Sequence, residues 1–193
     1  MIIGITGGSG SGKTTLLTLI QQMGGLVLDC DAIYHRLLME DQDLLAAIDR
    51  RFPGCVQSGT LDRKKLGAIV FADPAALEDL NAATHTAVKA AVCKALEAKP
   101  ALAAIDAIAL FEGGLASLCD VTVAVCAPEK ARIIRLMARD NISADYAQKR
   151  IAAQKPDSWF RETCNYCLEN DGTPQQFQDK CLAFLTELGI MKT

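Results

Sequence analysis

The sequence predicts a three-layer α/β/α fold with a central parallel sheet, and three observations lead to this fold class. Short apolar runs of strand length alternate with longer segments whose apolar residues recur at helical spacing. The first apolar run, residues 1–6, leads into a glycine-rich loop, and a helical pattern follows at residues 14–23. The chain has 193 residues, of which 50% are hydrophobic and 22% are charged, which suits one compact globular domain.

The remaining elements follow from the same two patterns. Apolar runs predict buried strands at residues 1–6, 26–28, 101–110, 121–126 and 166–168. Helical spacing predicts helices at residues 14–23, 32–38, 61–71, 75–96, 128–139, 143–154 and 174–188. The stretch 32–98 is predicted to be mostly helical, with turns at Pro53-Gly54 and Ser58-Gly59. In such a fold, functional groups gather beyond the carboxyl ends of the strands.

The glycine-rich loop at residues 7–14 reads Gly-Gly-Ser-Gly-Ser-Gly-Lys-Thr and fills the Walker A pattern of phosphate-binding loops. Glycines let the backbone curl so that successive N–H groups converge on phosphate oxygens. Lys13 supplies a positive charge, and the Thr14 hydroxyl is placed to ligate Mg²⁺. Because the next helix begins here, its N-terminus points at the phosphates. We expect this loop to bind ATP through Gly8, Gly10, Ser11, Gly12, Lys13, Thr14 and Thr15.

Composition excludes several other classes of protein. A net charge of −3 and an aromatic content of 5% offer neither a basic field nor a stacking platform for nucleic acid. No apolar stretch is long enough to span a bilayer, and the N-terminus lacks a charged leader region, so we expect a cytoplasmic protein without a membrane partner. Eight cysteines are then expected as reduced thiols. The single C-x-x-C at Cys164 and Cys167 has no second pair, which argues against zinc or redox function.

Asp31 is the candidate catalytic carboxylate, because it follows the predicted second strand within Asp29-Cys-Asp31. At the carboxyl end of that strand, a carboxylate can orient an attacking hydroxyl or accept its proton. The alternative is structural, since Asp31 can cap the helix predicted at 32–38. The two roles are compatible, because a capping residue at a strand–helix junction is also well placed for a ligand.

Three arginines, Arg132, Arg135 and Arg139, lie three and four residues apart on one face of the helix predicted at 128–139. Most such faces are merely solvated. In a phosphoryl-transfer enzyme, however, the planar guanidinium meets two phosphate oxygens at once. We therefore expect at least one of Arg135, Arg139 or Arg150 to contact phosphate. The break at 155–157 is expected to belong to a mobile lid.

Two further residues have both an ordinary and a functional interpretation. Asn170 begins Asn-Asp-Gly, a typical turn sequence, yet the fold brings this loop near the adenine side of bound ATP. His85 lies within the helix predicted at 75–96, where a histidine is more often packed than functional.

Motifs spread over almost the whole chain resemble those of the dephospho-CoA kinase family. They are residues 5–15, 28–32, 61–63, 70–74, His85, 110–115, 150–154 and 170–172. The chain departs from the family pattern at Thr86, Ile108, Arg161 and Cys164-Asn165. The resemblance implies transfer of the γ-phosphate of ATP to the ribose 3′-hydroxyl of dephospho-CoA, the last step of coenzyme A biosynthesis.

The resemblance also implies a P-loop fold related to nucleoside-monophosphate kinases, with a core, a helical substrate region and a lid. The core would comprise residues 1–31, 99–138 and 162–193, the substrate region 32–98 and the lid 139–161. Asp31 would act as base or orient the acceptor hydroxyl, and Lys13 and Arg139 would assist catalysis. Asp31, His85 and Glu112 would bind the substrate, and Asn170 would bind the nucleotide. A monomer or weak homo-oligomer is expected.

Three alternatives share the phosphate-binding loop. A GTPase would carry an Asn-Lys-x-Asp guanine signature, and the sequence has none. A kinase of another small metabolite, such as a nucleoside or a sugar acid, would keep the chemistry and change the acceptor. A nucleotide-binding protein without catalysis would not need Asp31.

Overall fold

Residues 1–191 are described by a computed structural model. Its strands are β1 (Ile2–Thr6), β2 (Leu26–Asp29), β3 (Val56–Gln57), β4 (Thr60–Leu61), β5 (Ala103–Asp106), β6 (Val121–Cys126) and β7 (Tyr166–Glu169). Its α-helices are α1 (Lys13–Gln22), α2 (Cys30–Glu40), α3 (Gln42–Arg51), α4 (Arg63–Ala72), α5 (Pro74–Leu96), α6 (Glu129–Asp140), α7 (Ala144–Ala152), α8 (Asp157–Thr163) and α9 (Pro174–Glu187). A 3₁₀ turn occupies Ala116–Leu118.

Five strands form the central sheet in the order β2-β5-β1-β6-β7. β1 pairs in parallel with β5 and β6, and β6 pairs in parallel with β7. Helices α1 and α9 pack on one face of this sheet, and the fully buried Phe160 of α8 packs against β6 beside Ala124 and Cys126. The central strands β1 and β6 are mostly apolar because both of their faces are covered. The predicted fold class is confirmed.

The chain forms two compact units. The first contains Met1–Val27, Pro100–Leu110 and the chain from Ala116 onward. The second contains Leu28–Lys99 and Phe111–Leu115. The second unit has its own apolar core, in which Ile48, Leu45 and Cys55 are almost completely buried. The predicted lid segment, 139–161, belongs to the first unit.

Aspartate side chains start the helices of the second unit. Each accepts a hydrogen bond from a backbone N–H of the first helical turn, which satisfies a group that the helix itself leaves unpaired. The capping residues of α2 to α5 are Asp29, Asp41, Asp62 and Asp73. The capping role predicted for Asp31 is wrong, because α2 begins at Cys30 and Asp29 accepts the bond from Ala32 at 3.0 Å.

Two predicted boundaries also differ from the structure. The strand predicted at 101–110 ends at Asp106, and a turn continues the apolar run. The helix predicted at 61–71 begins at Arg63, because Thr60–Leu61 pairs with Val56–Gln57 in a hairpin. Positive φ angles at both hairpin-turn residues, Ser58 and Gly59, suit a two-residue turn. In addition, α8 was not predicted. No helix among residues 1–191 is long and apolar enough to cross a membrane.

Candidate active site

The loop between β1 and α1 has a backbone that only glycine adopts readily. Gly7, Gly10 and Gly12 have φ angles of 133°, 79° and 103°. A Cβ atom on Gly7 would also collide with the carbonyl oxygen of Val125 in β6. These conformations turn the chain sharply from the end of a central strand into the first turn of α1.

The N-terminus of α1 has no capping side chain. Its N-cap is Gly12, whereas Ser143 caps α7 and Thr173 forms a capping box on α9. The first N–H groups of α1 are therefore left for an anion, which the helix dipole also favours. The Ser11 hydroxyl is buried next to them and has no hydrogen-bond partner among the described residues.

Lys13 lies at the start of α1 with its ammonium group over the loop. Its Nζ donates to the carbonyl oxygen of Gly7 at 2.9 Å and lies 4.0 Å from Oδ1 of Asp106. Asp106 is the last residue of β5, which pairs with β1 with Ile5 opposite Asp106. Sequence reasoning missed Asp106, because the apolar run predicted a strand that continued to Leu110.

Arg132 of α6 clamps one side of the loop. Only 4% of Arg132 is exposed, and its Nε donates to the carbonyl oxygen of Ser9 at 3.0 Å. Its other nitrogens donate to Asp157 Oδ1 at 3.0 Å and to Gln154 Oε1 at 3.2 Å. Gln154 also bonds Ser9 twice, accepting from the backbone N–H at 2.8 Å and donating to Oγ at 2.7 Å. Each of the three guanidinium nitrogens thus donates a hydrogen bond, which meets the usual requirement for burying an arginine.

Arg135, one turn further along α6, clamps the other side of the loop together with Asn170. Its Nη1 donates to the carbonyl oxygens of Gly10 at 3.2 Å and Ser11 at 3.1 Å, and its Nη2 donates to Oδ1 of Asn170 at 3.1 Å. Asn170 is buried, and its Nδ2 donates to the same Ser11 oxygen at 2.7 Å. Arg135, one of the three arginines considered for phosphate, and Asn170, expected near the nucleotide, therefore both bond to the loop that precedes α1.

Arg139 and Arg150 share one carboxylate at the end of α6. Arg139 Nε lies 2.7 Å from Asp140 Oδ1, and Arg150 Nη1 lies 2.6 Å from Oδ2. Their hydrogen bonds and charges, with Arg139 contributing most, lower the pKa of Asp140 to about 2. Asp140 therefore remains ionised and holds both guanidinium groups at physiological pH.

The predicted substrate residues belong to the second unit. Asp31 is exposed in the first turn of α2, His85 is half-buried on α5, and Glu112 is exposed in the turn that follows β5. The phosphate-binding loop, Arg139 and Asn170 all belong to the first unit. The structure thus brings the loop, Lys13 and Asn170 together as one cluster.

The cysteines do not form a metal centre within the described chain. All eight are thiols, and residues 1–191 contain no group of three or more His, Cys, Asp or Glu placed to hold a metal ion. Cys164 and Cys167 lie beside Cys126 under the α8 helix. Burial raises the pKa of Cys126 and that of Cys164, the latter to about 11, which keeps these thiols protonated and poorly reactive.

The fold and the loop together define a P-loop nucleotide-binding protein, because a glycine-rich turn joins a central parallel strand to an uncapped helix bearing a lysine. A sequence profile of the dephospho-CoA kinase family matches residues 1–176. The chain belongs to the dephospho-CoA kinase family.

Individual relatives agree with this assignment. A dephospho-CoA kinase from Anaeromyxobacter dehalogenans is 38% identical over 97% of this chain and 92% of its own length. One from Enterococcus faecalis is 34% identical over 96% of each chain. The crystal structure of a Thermus thermophilus protein superposes with a TM-score of 0.82, at 35% identity, over 97% of each chain.

Family membership makes the chain a kinase, a transferase that uses ATP and phosphorylates dephospho-CoA in the biosynthesis of coenzyme A. The predicted family is thereby confirmed, and the GTPase and non-catalytic alternatives are not supported. The roles predicted for individual residues stay predictions.

Proposed function

We propose that the loop at residues 7–14 holds the ATP phosphates while Asp31 directs the ribose 3′-hydroxyl of dephospho-CoA at the γ-phosphate. The observation that carries this proposal is the left-handed glycine loop ending at an uncapped helix, with the Lys13 ammonium group above it. Backbone N–H groups, the helix dipole and Lys13 together favour a polyphosphate. The buried Ser11 hydroxyl adds a further donor.

Mg²⁺ fits the oxygen donors beside the loop. The Thr14 hydroxyl lies in the first turn of α1, and the Asp106 carboxylate ends the neighbouring strand. Mg²⁺ typically takes one or two protein oxygens and completes its shell with phosphate oxygens and water, so a larger protein cluster is not needed. Thr14 and Asp106 would hold the ion, which when bound neutralises charge on the phosphates.

Asp31 is proposed to orient the acceptor hydroxyl or take its proton. Its carboxylate is exposed, and Asp29 rather than Asp31 satisfies the N-terminus of α2. Asp31 is therefore not required for capping and can meet a ligand. Phosphoryl transfer has a loose transition state, so positioning of the hydroxyl and stabilisation of charge dominate the rate.

The remaining roles concern the transferring phosphoryl group and the acceptor. Arg139, which is largely exposed at the end of α6, is proposed to stabilise charge on that group from the lid at 139–161. His85 and Glu112 are proposed to bind dephospho-CoA, and Asn170 to contribute to the nucleotide site. The protein is proposed to act in the cytoplasm as a monomer or weak homo-oligomer.

Product analysis tests the reaction. The chain is incubated with Mg²⁺-ATP and dephospho-CoA, with adenosine and gluconate as control acceptors. We expect CoA and ADP to form with dephospho-CoA alone. Transfer to adenosine or gluconate instead would retain a P-loop kinase but contradict the proposed acceptor.

A matched pair of variants tests Asp31. We expect Asp31→Asn to lower kcat by about two or more orders of magnitude, as for general-base residues. Asp29→Asn removes the same charge two residues away and keeps the cap, because asparagine caps as well as aspartate. We expect its kcat to stay within a few-fold of the unmodified enzyme. Equal losses in the two variants would remove Asp31 from its proposed role.

A further inference from the structure

We infer that Arg132 and Arg135 are positioning residues that aim backbone N–H groups of the loop at the ATP phosphates by holding the carbonyl oxygens on its other side. This inference rests on the proposed binding of ATP phosphates by residues 7–14. In this view the two arginines of α6 act by binding backbone carbonyl oxygens of the loop, and not by binding the ligand.

The geometry of the peptide unit carries the argument. In a trans peptide the C=O and N–H bonds point in opposite directions, and residues 1–191 contain no cis peptide. Arg132 holds the Ser9 oxygen, so the N–H of Gly10 in the same peptide faces away from Arg132. Arg135 and Asn170 hold the Ser11 oxygen, so the N–H of Gly12 faces away from them.

The peptide that joins Gly10 and Ser11 lies between these two and makes a different hydrogen bond. Arg135 also holds the Gly10 oxygen, but the Ser11 N–H on that peptide donates to the Gly8 oxygen at 3.1 Å. This bond closes a tight turn inside the loop. The arrangement therefore leaves the N–H groups of Gly10 and Gly12 as the ones that the arginines direct toward a ligand.

Glycines make room for the two clamps. A Cβ atom on Gly8 would collide with the guanidinium group of Arg132, and one on Gly12 would collide with the amide of Asn170. Gly8 is not among the residues with positive φ, so the space occupied by Arg132 is the reason for a glycine there. The glycine pattern and the arginine clamps are complementary.

A planar guanidinium is required at Arg135 because it reaches three acceptors at once, two carbonyl oxygens and the Asn170 amide oxygen. Lysine keeps the positive charge but lacks the planar set of N–H donors. Arg135→Lys therefore separates positioning of the backbone from direct attraction of phosphate. Loss of hydrogen bonds from a charged donor predicts a rise in the ATP Kd of about ten- to a hundredfold.

The test measures Kd by calorimetry for ATP and for tripolyphosphate, which lacks the base and sugar. We expect Arg135→Lys to weaken both ligands by similar factors, and Asn170→Ala to weaken both about tenfold by releasing the Ser11 oxygen. In ¹H–¹⁵N spectra, the shift of the Gly12 amide on ligand addition should shrink in both variants. Arg51→Ala, which removes an exposed arginine paired with Asp79, is the control and should leave both Kd values unchanged.

The outcomes separate this inference from the proposed function. Thermal unfolding first establishes that each variant folds. If Arg135→Lys does not fold, the Kd values of Asn170→Ala decide the test. Kd values within twofold of the unmodified protein in a folded variant would overturn the positioning role, provided that Lys13→Ala weakens ATP. If Lys13→Ala also leaves the ATP Kd unchanged, the loop does not bind the phosphates and the proposed function itself is contradicted. Weakening of ATP without weakening of tripolyphosphate would also overturn the inference, because it would place Asn170 on the adenine.

Discussion

Replacing Gly12 by alanine should destabilise the fold and the nucleotide site together. Gly12 has a φ of 103°, and alanine in a left-handed conformation costs roughly 1–2 kcal/mol. Its Cβ atom would also displace the Asn170 amide, which donates to the Ser11 oxygen at 2.7 Å. Losing that buried hydrogen bond costs about 1 kcal/mol more. The total is about 2–3 kcal/mol, which lowers Tm by about 4–12 °C for a chain of this size.

Gly24→Ala is the matched control. Gly24 has a φ of 79°, and a Cβ atom there would meet nothing within 4 Å, so this variant carries backbone strain without a collision. Thermal unfolding followed by circular dichroism compares the two variants, and calorimetry measures their ATP affinity. We expect Gly12→Ala to be less stable than Gly24→Ala by about 1 kcal/mol or more, and to be the only one of the two with weakened ATP binding. Equal stability and equal affinity would refute the contact between Asn170 and the loop.

Three further predictions concern stability. Phe160→Ala should lower the free energy of unfolding by about 3–5 kcal/mol because Phe160 is fully buried. Phe71 is 86% exposed, so Phe71→Ala should change that free energy by less than about 0.5 kcal/mol. Urea unfolding measures both variants. Asp29→Ala should cost about 1 kcal/mol by removing the α2 cap, and Asp29→Asn should restore most of it in the same assay. Burial raises the pKa of Cys181 from 9.0 to about 12, so its contribution to stability is complete below pH 9 and is lost as the pH rises toward 12. The free energy of unfolding should therefore fall less between pH 8 and pH 10.5 in Cys181→Ala than in the unmodified protein. An equal fall in the two proteins would contradict this cause.

Most of the fold could be predicted from local sequence patterns. The strand–loop–helix at the N-terminus is encoded within about 20 neighbouring residues, so its glycines, its lysine and its apolar spacing could be interpreted without tertiary information. The end of β5 could not, because Asp106 is followed by Ala-Ile-Ala-Leu, which continues the apolar run through a turn. Where hydrophobicity does not change at an element boundary, periodicity cannot locate the boundary.

Long-range partners explain what else was missed at the site. Arg132 and Arg135 belong to a helix whose sequence indicates an ordinary charged face, yet their acceptors Ser9 and Ser11 lie more than 100 residues earlier. Asn170 meets the same loop from the other end of the chain. Sequence reasoning identified Arg135 as a candidate for phosphate contact and Arg132 only as part of the charged face, but the atoms that both contact depend on how β1 and β6 pair.

The strand order has a consequence for synthesis on the ribosome. β1 lies between β5 and β6, and its first partner residues, Ala103 and Val121, follow it by about a hundred residues. At roughly 5–20 residues per second, this separation corresponds to several seconds of translation. Throughout that interval the apolar N-terminal strand has neither sheet neighbour, while α2 to α5 can already pack through local contacts. A nascent chain of this protein therefore carries a complete phosphate-loop sequence long before it has a phosphate site, and its strand β1 stays without sheet neighbours during that time.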